Sequence, residues 1–179
     1  VKTGNPKGWL DLEEPQKASE MVKLMGLKYL VVTSVDRDDL PDFGASHFGN
    51  VVNQIGQDYP EVKVEVLIPD FNATPEHMHT LAKSNPFVIA QNIETVERLT
   101  HQVRDRRAGY QQTLTALKFY AENYPEIATK TSIMVGLGET KEELVQTMVD
   151  LKEVGVKVIT FGQYLRPTMA HLEVQRYLE

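Results

Sequence analysis

Lys28-Tyr29-Leu30-Val31-Val32-Thr33-Ser34 runs straight into Val35-Asp36-Arg37-Asp38-Asp39, and this switch from an apolar, β-rich run to a charged one decides the fold. A short continuous apolar run of this composition marks a strand buried on both faces of a parallel sheet. The segment before it, from Asp11-Leu12-Glu13-Glu14-Pro15 to Gly26, carries acids and a proline suited to a first helical turn, then Ala18, Met21, Val22 and Met25 at helical spacing. Gly26 is placed to cap that helix at its C-terminus.

The same alternation continues along the chain. The pattern predicts a helix over Ala45 to Gln57, a strand over Val62 to Ile68, a helix over Pro75 to Lys83 with Thr74 as N-cap, and a strand over Phe87 to Ala90. An irregular stretch containing Arg104, Arg106 and Arg107 precedes a helix from Tyr110 to Asn123. A strand follows over Thr129 to Val135. Thr140-Lys141-Glu142-Glu143 reads as a capping box opening a helix through Leu144, Met148, Leu151 and Val154 that ends at Gly155. Val156 to Phe161 is the last strand. Repeated βα units of this kind give a parallel α/β fold. Both a closed barrel and an open doubly wound sheet fit the periodicity, and the polar motifs choose between them. Five polar clusters follow strands: Thr33 to Asp39, Pro69-Asp70-Phe71, Gln91-Asn92-Ile93-Glu94-Thr95, Gly136-Leu137-Gly138-Glu139-Thr140, and Gln163-Tyr164-Leu165-Arg166-Pro167. In a barrel all of these share one rim, the C-terminal face where such folds place their chemistry.

Composition narrows the function. The chain has 179 residues, 19 Lys and Arg against 25 Asp and Glu, and a formal charge of −6, with no basic stripe of the kind nucleic acid or anionic lipid requires. No apolar run approaches a membrane span. There is no cysteine, so these residues supply no disulfide, thiolate nucleophile or cluster ligand. The five histidines, at 47, 77, 79, 101 and 171, include no i, i+4 pair on one helix, which excludes a histidine metal site of that design. The expectation is a single domain over residues 1–179, cut at both ends, since it opens on Val1 and closes inside an amphipathic segment at Tyr177-Leu178-Glu179.

The rim residues have plain and functional readings side by side. Asp36, Arg37, Asp38 and Asp39 form either a solvated loop with local ion pairs or a set able to take Mg²⁺ or an anionic group. Gly136 and Gly138 form either a tight turn or a backbone cradle whose N–H groups meet a polar ligand edge. The third glycine of a dinucleotide fingerprint is missing. Asn92 and Glu94, two apart, share a face on a continuing strand and together donate to and accept from a diol or amide; alternatively they are turn and helix-start residues. The arginines at 104, 106 and 107 are a solvated face or a greeting for an acidic partner.

At these residues the sequence resembles the lipoyl synthase family of radical S-adenosylmethionine (SAM) enzymes. The resemblance rests on Val32 through Asp42 (Val-Thr-Ser-Val-Asp-Arg-Asp-Asp-Leu-Pro-Asp), Asn92-Ile93-Glu94-Thr95, Met134 through Thr140, Gly162 through Thr168, His171-Leu172 and Arg176-Tyr177, and it covers essentially the whole chain in order. It implies an incomplete TIM-like barrel of the radical SAM type. It implies SAM as cofactor and two 4Fe–4S clusters in the intact enzyme, with cysteine motifs upstream of Lys2-Thr3-Gly4-Asn5-Pro6 and a serine ligand beyond Glu179, so that no ligand to either cluster lies in this chain. The implied reaction inserts two sulfur atoms at C6 and C8 of a protein-bound octanoyl-lysine; the polypeptide as given is expected to be inactive. The implied partners are octanoylated lipoyl-carrier domains (2-oxoacid dehydrogenase E2 subunits and the glycine cleavage H protein) and an electron donor, with no nucleic acid and no membrane. A bacterial cytoplasmic location follows from the resemblance, and an organellar one stays open.

By position in the family's motifs, Thr33 and Ser34 fall at the methionyl amino end of SAM, Asn92 and Glu94 at the ribose, and Gly136 and Gly138 at the adenine. Gln163, Tyr164 and Arg166 fall at the mouth near SAM or the acyl-lysine arm, and Asp36, Arg37, Asp38 and Asp39 orient SAM or the peptide arm. The chain departs from the pattern at Gln91, where His is expected, at Phe43, where Gly is usual, at Asp105, where Pro usually follows Val-Arg, and at Glu173, where Pro is usual. Two other readings stand beside this one: a biotin-synthase-like sulfur transferase, and a non-catalytic module that binds SAM or an acyl carrier.

Overall fold

In the computed structural model, which describes residues 6–178, the elements run α1 (Glu14–Met25), β1 (Tyr29–Thr33), α2 (Ala45–Asp58), β2 (Lys63–Leu67), α3 (Pro75–Ala82), β3 (Val88–Ala90), α4 (Thr100–Val103), α5 (Tyr110–Asn123), β4 (Ala128–Val135), α6 (Lys141–Glu153) and β5 (Val158–Gln163). Lys2 to Asn5, in the stretch that the family's upstream cysteine motif would precede, and the terminal Val1 and Glu179 lie outside the described residues. The strands are hydrogen-bonded in chain order, β1-β2-β3-β4-β5. Chain order is what right-handed βα crossovers produce when each strand is added beside the last. The chain divides between Ile89 and Ala90 into two compact units.

In the first unit β1 pairs parallel with β2 from Tyr29 opposite Lys63 to Thr33 opposite Leu67, so the two strands end level. Phe87 N–H donates to Val64 O at 2.8 Å and brings the chain into β3. α2 turns Phe48, Val51, Val52 and Ile55 inward at i, i+3, i+4 and i+7, the stripe an amphipathic helix needs. α1 ends as its sequence predicts. Gly26 takes φ +61°, its N–H donates to Lys23 O and that of Leu27 to Val22 O, which is a Schellman closure.

Two expectations for this unit are corrected. Helical spacing found α1 but not its inner face: Ser19 and Val22 are buried, whereas Met21 and Met25 are exposed. Ser19 is drawn in because its hydroxyl donates to the Asp58 carboxylate at the end of α2. Nor is β1 buried on both faces. Tyr29 and Val31 are 43% and 54% exposed, while Leu30 and Val32 on the other face are half-buried. An apolar run does not separate a two-sided strand from a one-sided edge strand when both faces carry β-formers. Thr74 does sit at the N-cap of α3, but its side chain makes no capping bond.

In the second unit β4 pairs parallel with β5 from Lys130 opposite Val158 to Val135 opposite Gln163. Its core gathers Ile93, Tyr110, Leu114, Leu117, Ile133, Val135 and Leu151, from the segment after β3, from α5, β4 and α6. The capping box at α6 is complete, with Glu143 N–H donating to Thr140 Oγ1 and Thr140 N–H to the Glu143 carboxylate. The helix closes with a second Schellman motif: Gly155 N–H donates to Lys152 O and Val156 N–H to Leu151 O. That closure consumes Val156, so β5 begins at Val158 rather than at Val156 as expected. A Cβ on Gly155, at φ +85°, would lie 2.9 Å from the Ala121 Cβ of α5, so the position needs glycine for both reasons. The stretch read as irregular contains a 3₁₀ turn over Glu97–Leu99 and the short α4, which are too brief to leave a period in sequence.

The join between β3 and β4 contains one extra residue. Gln91 N–H donates to Lys130 O at 3.0 Å, and the next such bond on β4 is made by Glu94 N–H to Ser132 O, also at 3.0 Å. Three steps on one strand therefore match two on the other, which is a β-bulge in a parallel pair. Glu94 re-enters the ladder as an isolated bridge to Ile133 with φ +65°. Thr131 mends the gap: its hydroxyl donates to Gln91 O at 2.8 Å and accepts from Ile93 N–H at 3.0 Å. Replacing Thr131 by the isosteric Val leaves both buried backbone groups unpaired and is expected to cost about 1–3 kcal/mol. Denaturant unfolding measures this, and an unchanged midpoint would show that the hydroxyl is dispensable.

Candidate functional site

Each polar cluster anticipated at a strand end does follow its strand, and the two units place theirs separately. In the first unit the loop after β1 is pinned from within. Arg37 grips Asp39 in a two-pronged ion pair, Nε to Oδ1 at 2.8 Å and Nη2 to Oδ2 at 2.9 Å, and Nη2 also donates to Trp9 O. Gly8 N–H donates to the second Asp39 oxygen at 2.7 Å. The guanidinium and this amide hold the Asp39 carboxyl well below the usual carboxylate range. Asp42 accepts from Gly44 and Ser46 N–H and so supports the start of α2.

Arg37 and Asp39 thus pair with each other and brace residues 8 and 9, the local ion pairing that is one of the two readings of this set. Among the described residues, no three His, Asp or Glu side chains are gathered to hold a metal ion. Phe43, the departure from the usual glycine, sits at φ +53°, in the left-handed region where glycine is relaxed. Thr33 and Ser34, whose side chains have no hydrogen-bond partner among the described residues, line a pocket of about 490 Å³ with Trp9, Val32, His47 and Phe48.

In the second unit, the segment after β3 carries polar side chains that the fold does not satisfy. Asn92 and Glu94 are half-buried with no side-chain partner among the described residues. Gln91 is 3% exposed and Thr95 is fully buried, and neither Gln91 Oε1 nor Thr95 Oγ1 meets a donor or acceptor. Buried polar atoms are paired in the great majority of cases, and these two are among the few left without a partner among the described residues, as is Tyr120 Oη in α5. The expected basis for pairing Asn92 with Glu94 is corrected: the strand does not continue past Ala90, and the bulge with the left-handed Glu94 replaces strict alternation.

The glycine turn after β4 differs from its expected use. Glu139, 7% exposed, turns its carboxylate back on the turn and accepts from Gly136 N–H at 2.7 Å and Leu137 N–H at 2.9 Å. The anion that these amides attract is the chain's own, which removes them from any ligand. Arg98 holds the outer side of the turn, donating to Gly138 O at 2.9 Å and forking onto Glu143 at 2.6 and 3.0 Å. Gln163 spends its amide on Tyr164 O, Arg176 O and Leu178 N–H, Tyr164 Oη donates to Leu172 O, and Arg166 binds His171 O, Met169 O and Glu173. All three side chains lash residues 169–178 over the ends of β4 and β5. Gln175 and Arg176 N–H close on Gly136 O, and a Cβ at Gly136 would stand 2.4 Å from Arg176 O. Glu139, Arg98 and Thr131 are the residues that sequence reading missed. Only Glu139, inside a recognised motif, carried a signal.

Residues 2–162 match the radical SAM superfamily. The chain is 56% identical over 178 residues to the lipoyl synthase of Marinobacter nauticus, covering 99% of itself and 51% of that protein. It is 57% identical over 178 residues to the lipoyl synthase of Francisella tularensis subsp. novicida, covering 99% of itself and 54% of the relative. The chain thus spans about half the length of the curated relatives it matches. Among solved structures, methylornithine synthase superposes with a TM-score of 0.66 at 11% identity over 87% of this chain and 44% of the other, a likeness of fold alone. The parallel strands in chain order and this likeness make the fold an incomplete TIM-like barrel.

The Arg98 clasp has a pH signature. The Arg98 guanidinium, and then Thr140 N–H, lower the Glu143 carboxyl to about 2. A carboxyl depressed in the folded state stabilises the fold above its unfolded value, about 4.3, and that contribution fades as pH falls through the folded value. The melting-temperature gap between wild type and Arg98→Ala is expected to be full above about pH 5 and to narrow between about pH 4 and 2, down to what the Arg98 bond to Gly138 O contributes. A gap that widens toward low pH would contradict the clasp.

Proposed function

The chain belongs to the radical SAM superfamily, and from that premise we propose that it is the SAM-binding barrel portion of a lipoyl synthase, the enzyme that inserts sulfur at C6 and C8 of an octanoyl chain carried on a protein lysine. The observation that carries the proposal is the unsatisfied polar run after β3, in a chain 56–57% identical to lipoyl synthases over 178 residues. SAM suits the residues present. Its ribose offers two hydroxyls, each a donor and an acceptor, and Glu94 accepts while Asn92 does both.

In this reading Thr33 and Ser34 receive the methionyl ammonium end through hydroxyl and backbone oxygens. Gly136 and Gly138 border the adenine through the backbone, on the side of the turn not taken up by Gln163, Gln175 and Arg176. Asp36 and Asp38 orient SAM or the peptide arm from the braced loop, and Arg37 and Asp39 keep that loop in place. Gln163, Tyr164 and Arg166 act indirectly, by fixing the segment that borders the mouth. SAM, when bound and cleaved by an electron delivered from outside these residues, would supply hydrogen-atom abstraction at the two octanoyl carbons. The superfamily's 4Fe–4S cluster, and the second that the proposed activity requires, do not fit these 179 residues: there is no cysteine to ligate either. The partners in this reading are octanoylated lipoyl-carrier domains and an electron donor. No helix among the described residues is long and apolar enough to cross a membrane.

Isothermal titration of the chain with SAM tests the reading. Binding is expected for the wild type and a loss of at least about tenfold in affinity for Asn92→Ala combined with Glu94→Ala, the cost of removing hydrogen bonds from a formed site. Binding that is indifferent to both substitutions would remove the run after β3 from the SAM site.

A further inference from the structure

We infer that the pocket of the first unit, lined from α1, α2 and the end of β1, takes the aliphatic chain of the acyl-lysine arm, with Trp9 as the residue that covers it. The inference deepens the proposed function and rests on it for the identity of the arm. The preference for an aliphatic chain comes from the pocket itself.

The pocket holds about 490 Å³, within the range of about 300–1,000 Å³ that small-molecule sites span. Trp9, Leu10, Ala18, Val32, Phe48 and Val51 supply its apolar wall. The charged side chains that also line it are committed to partners. Asp11 Oδ2 accepts from Lys17 Nζ at 2.9 Å, Glu14 Oε2 meets His47 Nε2 at 2.7 Å across the two helices, and Arg37 forks onto Asp39. With its charges paired, the wall selects for apolar area rather than for a ligand's charge. Thr33 and Ser34 are the polar edge left open, and there the proposed function sets the methionyl end of SAM. The carbons that react have to lie beside SAM, and a chain laid along the apolar wall borders that edge.

Trp9 lies outside the motifs on which the family resemblance rests. Its side chain is 69% exposed, yet its backbone is held. Trp9 N–H donates to Pro6 O at 3.1 Å, Trp9 O accepts from Arg37 Nη2 at 2.8 Å, and the neighbouring Gly8 N–H donates to Asp39. A large apolar ring left in water on a fixed backbone offers a ligand contact area at a small cost in ordering. The ion pair of Arg37 with Asp39 thereby positions the indole as well as the loop after β1.

The test uses the wild-type chain and Nα-acetyl-lysine amides acylated at Nε with an acetyl, hexanoyl or octanoyl group. Trp9 is the single tryptophan, so its fluorescence reports on this pocket without a variant. The octanoyl probe is expected to move the emission to the blue and to saturate. The hexanoyl probe is expected to bind about tenfold more weakly, the worth of two buried methylenes, and the acetyl probe to leave the emission unchanged. Ala18→Leu, which fills the pocket from α1, is expected to weaken the octanoyl probe, and the length series in the wild type decides the matter if that variant does not fold. Calorimetric titration with SAM, with and without Asn92→Ala and Glu94→Ala, separates the two claims. If SAM binds through those residues while Trp9 emission ignores acyl length, or Ala18→Leu folds and leaves the octanoyl affinity unchanged, the inference is overturned and the SAM reading stands. If the length series holds and SAM does not bind, the SAM reading is overturned and the acyl pocket stands. If neither ligand binds, both are overturned.

Discussion

The Thr131 hydroxyl, donating to Gln91 O and accepting from Ile93 N–H, is the contact on which the proposed site depends. A parallel ladder would otherwise carry β3 alongside β4 residue for residue. With one side-chain oxygen standing in for the missing backbone pairing, the chain admits an extra residue, re-enters at Glu94 and keeps its buried amide satisfied. The result is a short segment with paired backbone and unpaired side chains, at a strand end where α/β barrels place ligands. The division is economical in physical terms, because the backbone sets the geometry and the side chains stay available.

The other strand ends show the opposite policy. Arg37 and Asp39 satisfy each other, Glu139 fills the glycine turn, and Gln163, Tyr164 and Arg166 bind the segment that follows β5. These polar residues are conspicuous in sequence for the same reason as Asn92 and Glu94, yet their hydrogen bonds are spent inside the fold.

Much of the architecture could be read from the residues. Apolar runs bounded by glycine and acidic helix starts located all five strands and five of the six α-helices described above, and Thr140 with Glu143 announced a capping box that is present in both its bonds. Periodicity failed where the signal is shorter than a period or depends on a distant partner. The one-turn α4 leaves none, and Ser19 is buried in place of Met21 only because Asp58 waits at the end of another helix. The start of β5 moved by two residues because the Schellman closure at Gly155 and Val156 was longer than the glycine alone suggested. At the site, the motifs marked the right segments but not the roles within them. Whether a polar side chain is spent or free is decided by residues far along the chain, as with Arg98 on Gly138 and Thr131 on Gln91.

Amide hydrogen exchange of the chain with and without saturating SAM addresses the central claim most directly, because it reports every strand end at once. The account predicts that protection on binding includes the peptide covering residues 91–95 and the adjoining end of β4. Protection that leaves residues 91–95 unchanged while appearing elsewhere would contradict it.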